Sequence, residues 1–91
     1  MADERVRVIV SGQVQGVFFR VTTRDVAERL RLTGWVRNRA DGRVEAELQG
    51  APDAVRRAVE FCRSGPGQAR VTHVDVERID PVSGERGFKV R

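Results

Sequence analysis

Val6, Val8 and Val10 share one parity, with Arg5, Arg7 and Ile9 between them, so residues 5–11 are predicted as a strand with one buried face. Residues 12–19 break the alternation with two glycines and two glutamines and are predicted as a loop. From about residue 20 to residue 32 the period changes: Thr23, Val26, Ala27 and Leu30 give one apolar helical stripe. Thr33-Gly34 is predicted to stop that helix, with the glycine in a left-handed terminal conformation.

A second strand is predicted over residues 35–39 and a third over 43–49, where Val44, Ala46 and Leu48 alternate. Asp41-Gly42 between them is a hairpin signal. Pro52 suits the first turn of a second helix and Asp53 adds favourable charge there. Val55, Ala58, Val59 and Cys62 follow at helical spacing until residues 64–67, Ser-Gly-Pro-Gly, end it. Residues 70–79 are predicted as a fourth strand, with Val71 out of phase with Val74 and Val76, which signals a bulge or a late start. A loop over 80–87 leads to a short edge strand at 88–90.

The order strand, helix, strand, strand, helix, strand, plus a tail strand, predicts an α+β, ferredoxin-like split βαβ sandwich (βαββαβ plus a short C-terminal edge strand). Both helices should cover one face of a mostly antiparallel sheet. At 91 residues, residues 1–91 are expected to form a single domain. That architecture hosts enzymes, RNA binders and regulatory modules alike, so function must come from a site.

Composition removes several classes. No apolar run approaches the ~20 residues of a membrane helix, and the charged N-terminal residues lack an apolar signal segment, so a cytoplasmic protein is expected. With Cys62 as the single cysteine, no internal disulfide and no cysteine-based zinc site is expected; Cys62 itself reads as a small buried hydrophobe. The net charge of +4 and a pI near 10.9 favour anionic partners, either nucleic acid or small phosphorylated molecules. Most of the arginines read simply as solvated surface. A nucleic-acid binder on this fold would be expected to show aromatic residues for base stacking, and the chain has no tyrosine and one tryptophan. A small-anion sensor without turnover is a further alternative.

The chemistry concentrates in two segments. Ser11-Gly12-Gln13-Val14-Gln15-Gly16-Val17-Phe18-Phe19-Arg20 joins the first strand to the first helix. A helix N-terminus has N–H groups without intrahelical partners, and a loop curling over it can aim more of them at one anion. Gly16 permits the positive φ this needs, and Arg20 adds a donor fork matched to phosphate oxygens. The same residues also fit an ordinary glycine-containing loop beside a surface arginine. No Gly-Lys-Ser/Thr ending makes it a nucleotide P-loop, and no acidic residue is placed to hold magnesium. Phe18 and Phe19 read first as packing residues.

In the second segment, Asn38 shares parity with Val36 and breaks the strand preference against asparagine. Its side chain could hold and point a water, or it could satisfy turn backbone at the strand end. Asp41 is explained by its Asp-Gly turn rather than by general-base work. His73 reads as a partly exposed strand residue.

Gly12-Gln13-Val14-Gln15-Gly16-Val17-Phe18-Phe19-Arg20 resembles the first signature of the acylphosphatase family. Gly34-Trp35-Val36-Arg37-Asn38, followed by Gly42, Val44 and Gly50, resembles the second, and the likeness extends over essentially the whole chain. The resemblance implies metal-independent hydrolysis of carboxyl–phosphate anhydrides to carboxylate and inorganic phosphate, with no cofactor. It implies that Arg20 binds the phosphate, that Asn38 orients water, and that the amides of Gln15, Gly16, Val17, Phe18 and Phe19 form the cradle. The expected partners are a small acyl phosphate and inorganic phosphate as product and inhibitor, with no nucleic acid and no membrane, and the expected state is a monomer.

Overall fold

The computed structural model describes residues 2–91. Its elements are β1 (Glu4–Gln13), α1 (Phe19–Arg29), β2 (Thr33–Asn38), β3 (Val44–Gly50), α2 (Pro52–Ser64), β4 (Arg70–Ile79) and β5 (Phe88–Val90). The sheet order is β4-β1-β3-β2-β5. All neighbours pair antiparallel except β2 and β5, which run parallel. This is the predicted α+β, ferredoxin-like arrangement, with β5 as the edge strand.

Parity sorts the two faces of the sheet. Val6, Val8 and Val10 of β1, Val36 of β2 and Val44, Ala46 and Leu48 of β3 are buried beneath the helices. They meet Thr23 and Ala27 of α1 and Val55, Ala58, Val59 and Cys62 of α2, so each helix inserts the stripe its spacing predicts. The opposite face carries a lattice of opposite charges. Arg7 pairs with Glu47 at 2.9 Å and Arg37 with Glu45 at 2.6 Å. Arg5, only 2% exposed, bonds Glu47 at 2.9 Å, Gln49 at 2.9 Å and Glu85 at 2.7 Å, joining β1 and β3 to the loop before β5.

Several boundaries differ from the pattern, β2 running Thr33–Asn38 instead of 35–39 and β3 Val44–Gly50 instead of 43–49, and two of the differences have a visible cause. The helix predicted to reach residue 32 stops at Arg29, because Leu32 N–H reaches back to the Ala27 carbonyl (2.8 Å) and Arg31 N–H to that of Glu28 (3.1 Å). This pair is a Schellman ending. The left-handed position falls on Arg31 (φ 58°), and Leu32 is drawn into the core. Gly34 therefore does not cap the helix. It lies within β2, with φ 137°, where an added Cβ would sit 1.9 Å from the Glu47 carbonyl oxygen. The first strand also runs on to Gln13, past a register shift after Ser11 at which β4 inserts Thr72, the bulge that the phase of Val71 predicts.

Candidate active site

The loop between β1 and α1 is fixed at both ends. Val14 and Phe19 are buried, and Phe19 stacks at a tilt on Phe61 with ring centroids 5.9 Å apart. Between them the chain bends at Gln15–Phe18 without closing a hydrogen-bonded turn. Gly16 (φ 74°) and Phe18 (φ 62°) supply the two left-handed kinks. Thr22 N–H bonds the Phe18 carbonyl at 3.0 Å, and the Thr22 and Thr23 hydroxyls bond the carbonyls of Phe18 (2.8 Å) and Phe19 (2.7 Å), securing the first turn of α1. Among the described residues, the main-chain N–H groups from Gln15 to Phe19 donate to no protein acceptor. They stand at the positive end of the α1 dipole, where negative charge is favoured.

Arg20 sits in the first turn of α1 and Asn38 at the last position of β2. Both line a cleft of about 220 Å³, together with Val14, Gly16, Phe18, Phe19 and Val21. Arg20 Nη1 donates to the main-chain oxygen of Arg91 at 3.0 Å, leaving the rest of its donor fork for a ligand. Arg91 is itself held: its N–H bonds the Val36 carbonyl at 2.8 Å, and its guanidinium lies 4.5 Å from the Trp35 ring centroid. Sequence reasoning did not find this brace, since nothing local in the chain links position 20 to position 91.

The Gln15 side chain, expected only to lend its main-chain amide, is a second brace. Its Nε2 donates to the carbonyls of Arg39 (2.8 Å) and Arg43 (2.9 Å), so its side chain clamps the loop to the β2–β3 hairpin. Asp41 Oδ1 accepts from Arg43 N–H at 3.1 Å in the same turn. The hairpin backbone is thus served by Gln15 and Asp41, and the Asn38 side chain has no protein hydrogen-bond partner among the described residues. Gln15 and Val17 do not line the cleft; Val17 packs against the core, so either could reach an anion only through its main chain. The two phenylalanines separate, Phe19 into the core as packing predicts, and Phe18 outward, 75% exposed.

The other candidates lie elsewhere. Cys62 is buried, and burial pushes its thiol up to about 12. The Arg43 N–H and the neighbouring Arg39 and Arg43 hold the Asp41 carboxyl below its ordinary value, as suits a turn cap rather than a base. His73 is exposed on β4, 2.9 Å from Asp75. A larger hollow of about 650 Å³ is lined by Asp3 and Glu85 without a cation, which disfavours anions. Among the described residues, no three His, Cys, Asp or Glu side chains gather to hold a metal ion, and no helix is long and apolar enough to cross a membrane. On the open sheet face, where base stacking would need bare aromatics, Trp35 lies beneath Arg91 and Arg37.

The acylphosphatase family profile matches residues 6–90, spanning the loop, Arg20 and Asn38. The chain belongs to the acylphosphatase family. It is 57% identical over 88 residues to an acylphosphatase of Rubrobacter xylanophilus, covering 97% of this chain and 80% of that protein. Family structures share the fold. An acylphosphatase from Coxiella burnetii superimposes with a TM-score of 0.89 at 42% identity, covering 99% of this chain and 94% of that one. The Bacillus subtilis acylphosphatase does so with a TM-score of 0.92 at 36% identity, covering 97% and 98%.

Proposed function

We propose that the chain hydrolyses acyl phosphates to a carboxylate and inorganic phosphate at the cleft between the β1–α1 loop and the end of β2. The observation that carries this reading is one small cleft lined by Arg20, by Asn38 with its unpartnered side-chain amide, and by Gly16, Phe18 and Phe19, whose main-chain N–H groups donate to no protein acceptor. Family membership supplies the substrate class.

The roles follow from charge. The loop amides and Arg20 hold the phosphoryl oxygens and stabilise them as the P–O bond loosens. Asn38 accepts a hydrogen bond from a water and holds it in line with that bond. The water oxygen bonds phosphorus, the P–O bond to the acyl group breaks, and its electron pair leaves on the carboxylate oxygen. The water's proton passes to a phosphoryl oxygen of the substrate. A carboxylate is a good leaving group, so no protein acid is required, consistent with a cleft lined by no carboxylate or histidine. Inorganic phosphate fits the same cradle and acts as product and competitive inhibitor.

Phosphate release from acetyl phosphate by the purified chain, with a chelator present, tests the reading. Turnover unaffected by chelator and competitively inhibited by phosphate supports it. No rate above spontaneous hydrolysis from the folded protein overturns it.

A further inference from the structure

Two of the large apolar side chains left in solvent stand at this cleft. Phe18 is 75% exposed and Val21 42% exposed, and both belong to its lining. Phe18 is unfavourable there on two counts. Its φ of 62° is left-handed, a conformation that glycine or asparagine adopts at lower cost than a bulky residue. Its ring also stays largely in water. The helix start does not require a phenyl group, because what Thr22 binds is the Phe18 carbonyl, which any residue supplies. A strained, exposed aromatic beside a site points to a role in that site.

In-line displacement sets the direction in which the substrate lies. The attacking water belongs with Asn38, half-buried at the end of β2, so the acyl group extends the other way, and the exposed apolar side chains of the remaining lining are Phe18 and Val21. Arg20 is the one charged side chain in the lining, and the phosphoryl group occupies it. What remains for the acyl group is apolar surface.

We propose that Phe18 and Val21 form an acyl subsite that selects acyl phosphates with an aromatic or extended aliphatic acyl group over acetyl phosphate. This rests on the acyl phosphate reading of the cleft. The ring covers one face of the acyl group, and Val21, one helical step beyond Arg20, covers its edge. Binding there removes apolar area of both partners from water.

The test is the ratio of kcat/KM for benzoyl phosphate to that for acetyl phosphate, in the parent chain, Phe18→Ala, Phe18→Leu and Val21→Thr. The two substrates share the phosphoryl group, so damage to the cradle by a substitution cancels in the ratio. Phe18→Ala is expected to lower the ratio by about fivefold to tenfold, mainly through the KM for benzoyl phosphate. Phe18→Leu should recover most of it, and Val21→Thr should lower it by about twofold to threefold. Competition by benzylphosphonate should weaken in parallel, with competition by methylphosphonate changed less. A ratio within about twofold of the parent in Phe18→Ala overturns the subsite; should that variant not fold, an unchanged ratio in Val21→Thr does so. Hydrolysis of neither substrate by the parent chain overturns the acyl phosphate reading itself, and the two failures are told apart by the parent's own rate.

Discussion

Replacing Gln15 with alanine removes both hydrogen bonds that tie the cradle loop to the hairpin bearing Asn38, at 2.8 and 2.9 Å. The Gln15 side chain is exposed, so water can take over the Arg39 and Arg43 carbonyls, and the stability loss should be about 1 kcal/mol. A domain of this kind has ~5–15 kcal/mol to lose from, so the variant stays folded. The catalytic loss should be larger. Once untied, the hairpin no longer fixes Asn38 relative to the phosphoryl group, and a misplacement of about 1 Å costs up to ~100-fold. We expect kcat to fall about 10- to 100-fold, with a smaller change in the inhibition constant of phosphate. Gln15→Glu should do no better, because a carboxylate cannot donate to the two carbonyls. The assay is steady-state hydrolysis of acetyl phosphate in a double-mutant cycle with Asn38→Ala. If Gln15 acts by placing Asn38, Gln15→Ala should cost little more in the Asn38→Ala background, a coupling of about 1.4–2.7 kcal/mol. Full additivity, or an unchanged kcat in Gln15→Ala, refutes the positioning role.

Other consequences follow from the same geometry. Arg20→Ala should abolish phosphate inhibition together with turnover, whereas Asn38→Ala should lower kcat by about a hundredfold, ~3 kcal/mol of barrier, and leave phosphate inhibition near its parent value; steady-state kinetics separate the two. Hydrogen bonding to Arg5 holds the Glu85 carboxyl below its ordinary value. Its stabilising contribution is therefore complete above the unfolded carboxylate value and is lost as pH falls through the lower folded one. Urea unfolding should show Glu85→Gln destabilised by about 1–3 kcal/mol at pH 7, with the gap to the parent closing in acid. Gly34→Ala must carry a Cβ 1.9 Å from the Glu47 oxygen at φ 137°, and denaturation should show a loss of about 3 kcal/mol or more. Gly42→Ala meets no atom within 4 Å at φ 90° and should lose only about 1 kcal/mol.

What could be read from the sequence was what is local or periodic. α2 was legible with its start and its stop, because Pro52, the stripe from Val55 to Cys62 and the glycines after Ser64 all act within a few positions. The end of α1 was not. The glycine signal at Gly34 competed with the burial of Leu32, and burial won by placing Arg31 in the left-handed region. The loop between β1 and α1 was visible as a motif, but its side-chain braces were not. Gln15 reaches carbonyls 24 and 28 positions away and Arg20 one 71 positions away, and pairings at such distances leave no mark on local pattern. Adjacent phenylalanines look alike in the sequence; the left-handed φ at Phe18 sends one outward while its neighbour enters the core.

If water held by Asn38 attacks phosphorus within a cradle of amides and Arg20, the acyl carbon gains no oxygen. Hydrolysis of acetyl phosphate in ¹⁸O-enriched water, with chelator present, tests it most directly through mass analysis of both products. Attack at phosphorus puts one heavy oxygen in the inorganic phosphate and none in the acetate. Label in the acetate would mean attack at the carbonyl carbon and would contradict the roles given to Asn38 and the cradle.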